Sequence, residues 1–308
     1  MAGHERTHGH TGRRPTRLGA ARDARRRPGP IAFVFAGGAA LASIQVGMLR
    51  ALLGAGVVPD LITGTSSGAL NGAMLAADPG RALGRLEAVW TTVGRAQILP
   101  MRPLTLVRAV TGRSPSIAPS TGLRRVLEQH LPVDRLEDTT VPIHVVAADT
   151  ATREKVVLSS GNAIDALVAS TAIPGIYPPV AIGGRLLVDG GLAEDPPLGT
   201  AIERGATTVY LLPVGWPLGP APVRGTLVRA MDALDWLFWS AASAHLERWA
   251  PECDLFVLPS PPITALHPLS TRAAGRLIAD AERMAREWLP SARPWAGAAA
   301  GMDAAAGS

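Results

Sequence analysis

The sequence is poor in cysteine, lysine and aromatic residues. Cys253 is the one cysteine among 308 residues, which excludes an internal disulfide framework and a cysteine-rich metal site and leaves the cytosol as the default compartment. Lys155 is the one lysine, and arginine supplies every other basic side chain. Aromatic residues make up 4% and charged residues 18%, against 47% hydrophobic, a composition that folds around a core. No apolar run reaches the ~20 residues of a membrane span; the stretch 227–244 is interrupted by Arg229, Asp232 and Asp235. A dinucleotide fingerprint is missing too, because GGAALA over 37–42 does not fit GxGxxG.

The net charge of +5 invites a nucleic-acid partner until the charges are located. Residues 1–29 hold eight arginines against Glu5 and Asp23, so the remainder is close to neutral. An all-arginine basic set follows from compositional bias, and no nucleic-acid binding is expected. The same segment has almost no large apolar residues and reads as an Arg-rich disordered tail, its His4, His8 and His10 solvated rather than metal-binding. Arg25 to Arg27 ahead of an apolar run resembles a targeting signal, but the run over 31–49 reads better as a strand, turn and helix. Residues 30–290 are expected to form a single catalytic domain, and 291–308 a flexible Ala/Gly tail.

Along the chain, apolar strands alternate with helical periodicity. Strands are expected at 31–36, 60–63, 142–148, 155–158, 207–213 and 254–258, with helices between them over 39–53, 69–77, 81–93, 121–131, 162–170, 198–204, 226–249 and 271–289. Gly183-Gly184 between two short apolar runs is a hairpin signal. The alternation implies an α/β fold of three layers, α/β/α, around a mostly parallel central sheet. The proline-punctuated stretch 97–119 has the length of a lid.

GTSSG, Gly64 to Gly68, fits the GxSxG nucleophile elbow, with an apolar strand before it and a small-residue helix after it. Gly64 and Gly68 leave room for so tight a turn. One helix upstream, Gly37-Gly38-Ala39 ends a strand and opens a helix, where backbone N–H groups suit an oxyanion. The alternative is a turn that only packs the helix. A serine nucleophile needs a base. His144 lies in a strand as a core histidine, His130 ends a helix and His245 sits within one. His267 alone follows the order of a histidine triad. Asp189, ending an apolar strand before Gly190-Gly191, is the better base, provided partial burial raises its pKa from ~3.9. A turn aspartate is the structural alternative.

These motifs together resemble the patatin-like phospholipases. The resemblance covers about residues 31–205, through Gly37-Gly38, Gln45-Val46-Gly47, GTSSG, Ala169-Ser170-Thr171-Ala172-Ile173-Pro174-Gly175 and Asp189-Gly190-Gly191. It implies a lipid acyl hydrolase with a Ser-Asp dyad: Ser66 as nucleophile, Asp189 as base, the amides of Gly37, Gly38 and Ala39 as oxyanion hole, and no metal or cofactor. A lipid or ester substrate is implied, with peripheral membrane contact at Trp236, Phe238, Trp239 and Trp249 set against core packing of that cluster. The turn departs from the family's GGGxRG at Ala39 and Leu41, and losing the arginine removes a charge that would recognise an anionic headgroup. An acyltransferase or thioesterase on the same site, and a lipid-binding protein with an altered turn, are the rival readings.

Overall fold

The computed structural model describes residues 29–100, 111, 113–114, 116–215, 242–262 and 273–295. The two chain ends, most of the 97–119 stretch, Trp236, Phe238, Trp239 and His267 therefore lie outside the described residues. Five strands run parallel in the order β3 (Ile143–Asp149), β2 (Leu61–Thr65), β1 (Ile31–Phe35), β7 (Thr208–Leu212), β8 (Asp254–Val257). Three short strands join this core antiparallel: β4 (Lys155–Leu158) and β6 (Arg185–Asp189) on β3, and β5 (Val180–Ile182) on β6. The β5–β6 turn is the expected Gly183-Gly184 pair, with φ of 56° and 77°, the positive φ that a two-residue hairpin loop requires.

Parallel strands need crossovers, and helices supply them on both faces. One face carries α1 (Ile44–Gly54), α2 (Ser67–Ala77), α3 (Ala82–Thr92), α4 (Thr121–His130), α5 (Ala163–Ser170) and α7 (Ala274–Trp288), over a core that includes Phe33, Phe35, Ile62, Met48 and Leu75. The other carries the short α6 (Leu198–Glu203) and a helical stretch over 242–249, packed on Ala32, Val34, Val209 and Leu211. Alternate β1 residues thus feed opposite cores, as the period of two dictates. Each fully buried Leu, Ile or Phe contributes roughly 1.5–3 kcal/mol. On α3, Leu86 and Trp90 are buried while Leu83 and Val89 pack at the margin of the core.

Most differences from the expected boundaries are of one or two residues. The helix after the glycine turn is the instructive one: Ala39–Ser43 is a 3-10 turn, and the α-helix begins only at Ile44. The tighter turn follows from Ala39 at φ 50°, where the chain must double back before a helix can start. Asn162 caps α5 by accepting a hydrogen bond from Asp165 N–H at 2.8 Å, one of the orphan donors of the first turn.

Candidate active site

The site lies at the C-terminal ends of β1, β2 and β3, where open α/β sheets place their ligands. Ser66 follows β2 directly and caps α2, with φ 54° and ψ −131°. A non-glycine residue held there costs about 1–3 kcal/mol and persists only if its surroundings fix it. They do. A Cβ on Gly64 would lie 2.6 Å from Ala69 Cα, and one on Gly68 2.4 Å from Ala36 O, so the strand, the helix and the end of β1 meet at backbone contact. Ser66 N–H donates to Ser170 Oγ at 2.9 Å, and Ser170 Oγ–H donates to Val146 O at 2.6 Å.

The Ser66 hydroxyl donates to Asp189 Oδ2 at 2.8 Å, and both residues are buried. Asp189 ends β6, paired opposite Ala147 of β3, which carries it to the level of the elbow. Gly191 N–H donates to Asp189 Oδ1 at 2.8 Å. A Cβ on Gly190 would stand 2.1 Å from Val146 O, so this loop too lies against the β3 backbone. Burial pushes the Asp189 carboxyl up to about 6, against the opposing pull of the Gly191 and Ser66 hydrogen bonds. The partial burial that a base at this position required is therefore present.

The described histidines are engaged elsewhere. His144 Nδ1 meets Ser159 Oγ at 2.7 Å, and burial followed by the charge of Arg204 pushes its pKa down to about 4. It is half-buried rather than a core histidine. His130 ends α4. His245 Nε2 lies 3.0 Å from Glu194 Oε1.

The glycine turn is more heavily engaged than the sequence suggested. Gly37 N–H donates to Asp195 Oδ1 at 2.9 Å and Gly38 N–H to Ser67 Oγ at 3.1 Å. Ala39 N–H donates to no acceptor among the described residues. Gln45, buried beneath the turn, donates to Ala36 O at 2.8 Å and Leu212 O at 2.9 Å. Asn71 of α2 donates to Ala42 O at 2.9 Å and Gln45 Oε1 at 2.7 Å, and accepts from Trp90 Nε1 at 2.8 Å. This buried, fully paired network ties the turn to the elbow helix. Leu41, where the resemblance led one to look for an arginine, is in the core.

Sequence reasoning missed Asp195, Ser67 and the roles of Ser170, Gln45 and Asn71, because each acts across a long chain separation. The one available signal was the placement of Gln45 and Ser170 within motifs already singled out. A cavity of about 430 Å³ is lined by Ala148, Asp149, Thr150, Arg153, Tyr177 and Val188 among others, and neither Ser66 nor Asp189 is among its lining residues. No group of three or more potential metal ligands occurs among the described residues.

Fold and site together define an α/β protein of the serine-elbow class, with a carboxylate in hydrogen-bond contact with the serine. Residues 33–202 match the family described as patatin-like phospholipase, and the chain belongs to that family. It is 30% identical over 225 residues to the mouse protein named patatin-like phospholipase domain-containing protein 7, a match covering 72% of this chain and 15% of that one. It is 29% identical over 246 residues to lysophospholipase NTE1 of Mycosarcoma maydis, covering 79% and 12%. Among solved structures it is similar to VipD from Legionella pneumophila, at 13% identity and a TM-score of 0.46, covering 85% of this chain and 66% of that one. The chain thus spans about a sixth or less of the length of these curated relatives.

Proposed function

We propose that this protein is a serine acyl hydrolase that cleaves carboxylic ester bonds of lipids through a Ser66–Asp189 dyad, within one catalytic domain over residues 30–290. The observation that carries this reading is the 2.8 Å hydrogen bond from a strained Ser66 to Asp189. As Ser66 Oγ attacks the ester carbon, its proton passes to Asp189 and the carbonyl π electrons move onto oxygen. Collapse of the tetrahedral intermediate expels the alcohol, which takes the proton back from Asp189 and leaves an acyl-serine. Water, deprotonated by Asp189, then releases the fatty acid. A base near 6 is mostly ionised at neutral pH yet basic enough to accept a proton in the transition state. The oxyanion is received at the glycine turn of Gly37, Gly38 and Ala39, where the Ala39 amide has no acceptor among the described residues and those of Gly37 and Gly38 donate to Asp195 and Ser67.

The substrate class rests on two supports. Relatives carry the names lysophospholipase and patatin-like phospholipase. Leu186 and Leu192, which flank Asp189 in the chain, are half-exposed at 53% and 50%, which suits peripheral contact with a lipid surface; no described helix is long and apolar enough to cross a membrane. With Leu41 in place of a cation, neutral esters, monoacylglycerols and lysolipids stand level with diacyl phospholipids. The test is hydrolysis of short- and long-chain nitrophenyl esters, followed by a lipid panel read by product mass. A pre-steady-state burst that Ser66→Ala abolishes is expected. Turnover unchanged in Ser66→Ala would overturn the reading.

A further inference from the structure

One amide of the glycine turn is occupied by a side chain of the same protein. Gly37 N–H donates to Asp195 Oδ1 at 2.9 Å. A Cβ built on Gly37 would lie 3.0 Å from Asp195 Oδ2 and 3.2 Å from Ser66 Cβ. The carboxyl and the serine therefore flank the same side of Gly37, within reach of an oxygen bonded to the carbon that Ser66 attacks. As a carboxylate, Asp195 would repel the negative oxygen and hold an amide meant for it. As a carboxylic acid, it would keep the Gly37 N–H on Oδ1 and present an O–H from Oδ2.

We propose that Asp195 is a third catalytic group, a neutral acid whose O–H donates to the substrate carbonyl oxygen as charge builds on it. The inference rests on the Ser66–Asp189 reading. Its surroundings favour the neutral form. Asp189 approaches from the end of β6, and Glu194 precedes Asp195 on its own loop. Glu194 is held anionic by His245, Thr200 and Lys155, whose contacts outweigh the opposing effect of burial. The glycine turn and elbow bring no charged side chain of their own, only Gly37 N–H and the Ser66 hydroxyl. Burial, opposed by the Gly37 hydrogen bond and reinforced by the charges of Asp189 and Glu194, pushes the Asp195 carboxyl up to about 7. The residue keeps partial contact with solvent, so a substrate can reach it. In the attack step the O–H bond of Asp195 is retained: it lengthens toward the oxyanion and relaxes when the carbonyl re-forms, so no proton beyond that of Ser66 changes hands. This role gives the turn a donor in place of the amide that Asp195 occupies.

The active form then carries Asp189 ionised and Asp195 protonated, and the rate falls when Asp195 loses its proton. The experiment is the pH dependence of kcat/KM for nitrophenyl ester hydrolysis from about pH 5 to about pH 9, with wild type, Asp195→Asn and Asp195→Ala. Labelling of Ser66 by a fluorophosphonate runs beside it over the same range. Wild type is expected to show a bell with an alkaline limb starting near neutrality. Asparagine keeps an acceptor for Gly37 N–H and a donor for the oxygen but cannot ionise, so its profile should stay level along the alkaline side. Alanine should lose about 10²–10³-fold in kcat. An alkaline limb unchanged in Asp195→Asn, or missing from wild type, overturns the inference, and so does wild-type kcat in Asp195→Ala. If alanine fails to fold by circular dichroism, the asparagine profile decides. A wild type that takes no label removes the Ser66 reading and this inference with it. A labelled wild type with an asparagine profile like its own removes this inference alone.

Discussion

Two neighbouring strand-to-helix junctions make the site, and both hold a non-glycine residue at positive φ. At the end of β2 it is Ser66, at 54°; at the end of β1 it is Ala39, at 50°. Their supports differ. The elbow is locked at close range, since Gly64 and Gly68 let α2 touch the strands below it at backbone contact. The glycine turn is held largely from afar: Asp195 from the loop after β6 and Ser67 from the start of α2 take its amides, while Gln45 of its own helix ties Ala36 O to Leu212 O. A junction fixed by its own glycines is rigid by local sterics, whereas one fixed by remote side chains depends on the whole fold being assembled.

The largest effect expected at the elbow is that of Asp189→Asn. Turnover should fall on the order of 10⁴-fold, as when an ionised partner of a serine–base pair is neutralised, while stability at neutral pH rises. The sign follows from the buried carboxyl. Its folded-state value, about 6, lies above its ordinary 3.8. The folded protein therefore binds the extra proton between those values, and the stability it contributes is lost as pH climbs through them. Removing the charge should return on the order of 1–3 kcal/mol, read as a higher denaturation midpoint at pH 7 with little difference at pH 3. A midpoint lower than wild type at pH 7 would contradict the burial argument.

Next comes the steric lock. Gly68→Ala should cost about 3 kcal/mol and abolish esterase activity, because the new methyl faces Ala36 O at 2.4 Å and neither backbone can yield. Denaturant unfolding measures it. A cost under ~0.5 kcal/mol, the scatter of neutral surface changes, would mean the elbow is not locked as described. Ser170→Ala should cost about 1–3 kcal/mol, the penalty for a buried Ser66 N–H left without an acceptor, with a smaller loss in rate than at Asp189. The smallest effect belongs to the other junction. Ala39→Gly relieves the positive φ but loosens the unfolded chain, so the net gain should be about 0.5 kcal/mol, with kcat within a few-fold of wild type. A large loss of activity there would show that Ala39 does more than turn the chain.

The elbow was legible in the sequence because a glycine at each end of a five-residue motif, between an apolar run and a small-residue run, permits few other structures. The alternation of strands and helices was legible for a related reason: the periods of 2 and 3.6 survive in any single stretch. Asp189 stood out as an aspartate ending an apolar strand before two glycines, with a turn aspartate as the alternative until its hydrogen bond to Ser66 is seen. Asp195 was not. It stands in an unremarkable acidic pair before two prolines, and only its contact with Gly37, 158 positions away, sets it apart. The same holds for Ser170, which reads as the polar end of a helix until its hydroxyl is found beneath the Ser66 amide, 104 positions distant.

What the sequence determined by itself was therefore the local chemistry: a serine on a turn that only small neighbours allow, an aspartate at a strand end, and the alternating elements that carry them. These depend on sterics and periodicity within a few residues. Only the tertiary structure decided which carboxyl the serine faces, how far that carboxyl is removed from water, and that a second carboxyl occupies the amide expected to be free. Those depend on hydrogen-bond distances between segments more than a hundred residues apart, which the order of residues along the chain does not encode until the sheet brings their strand ends together.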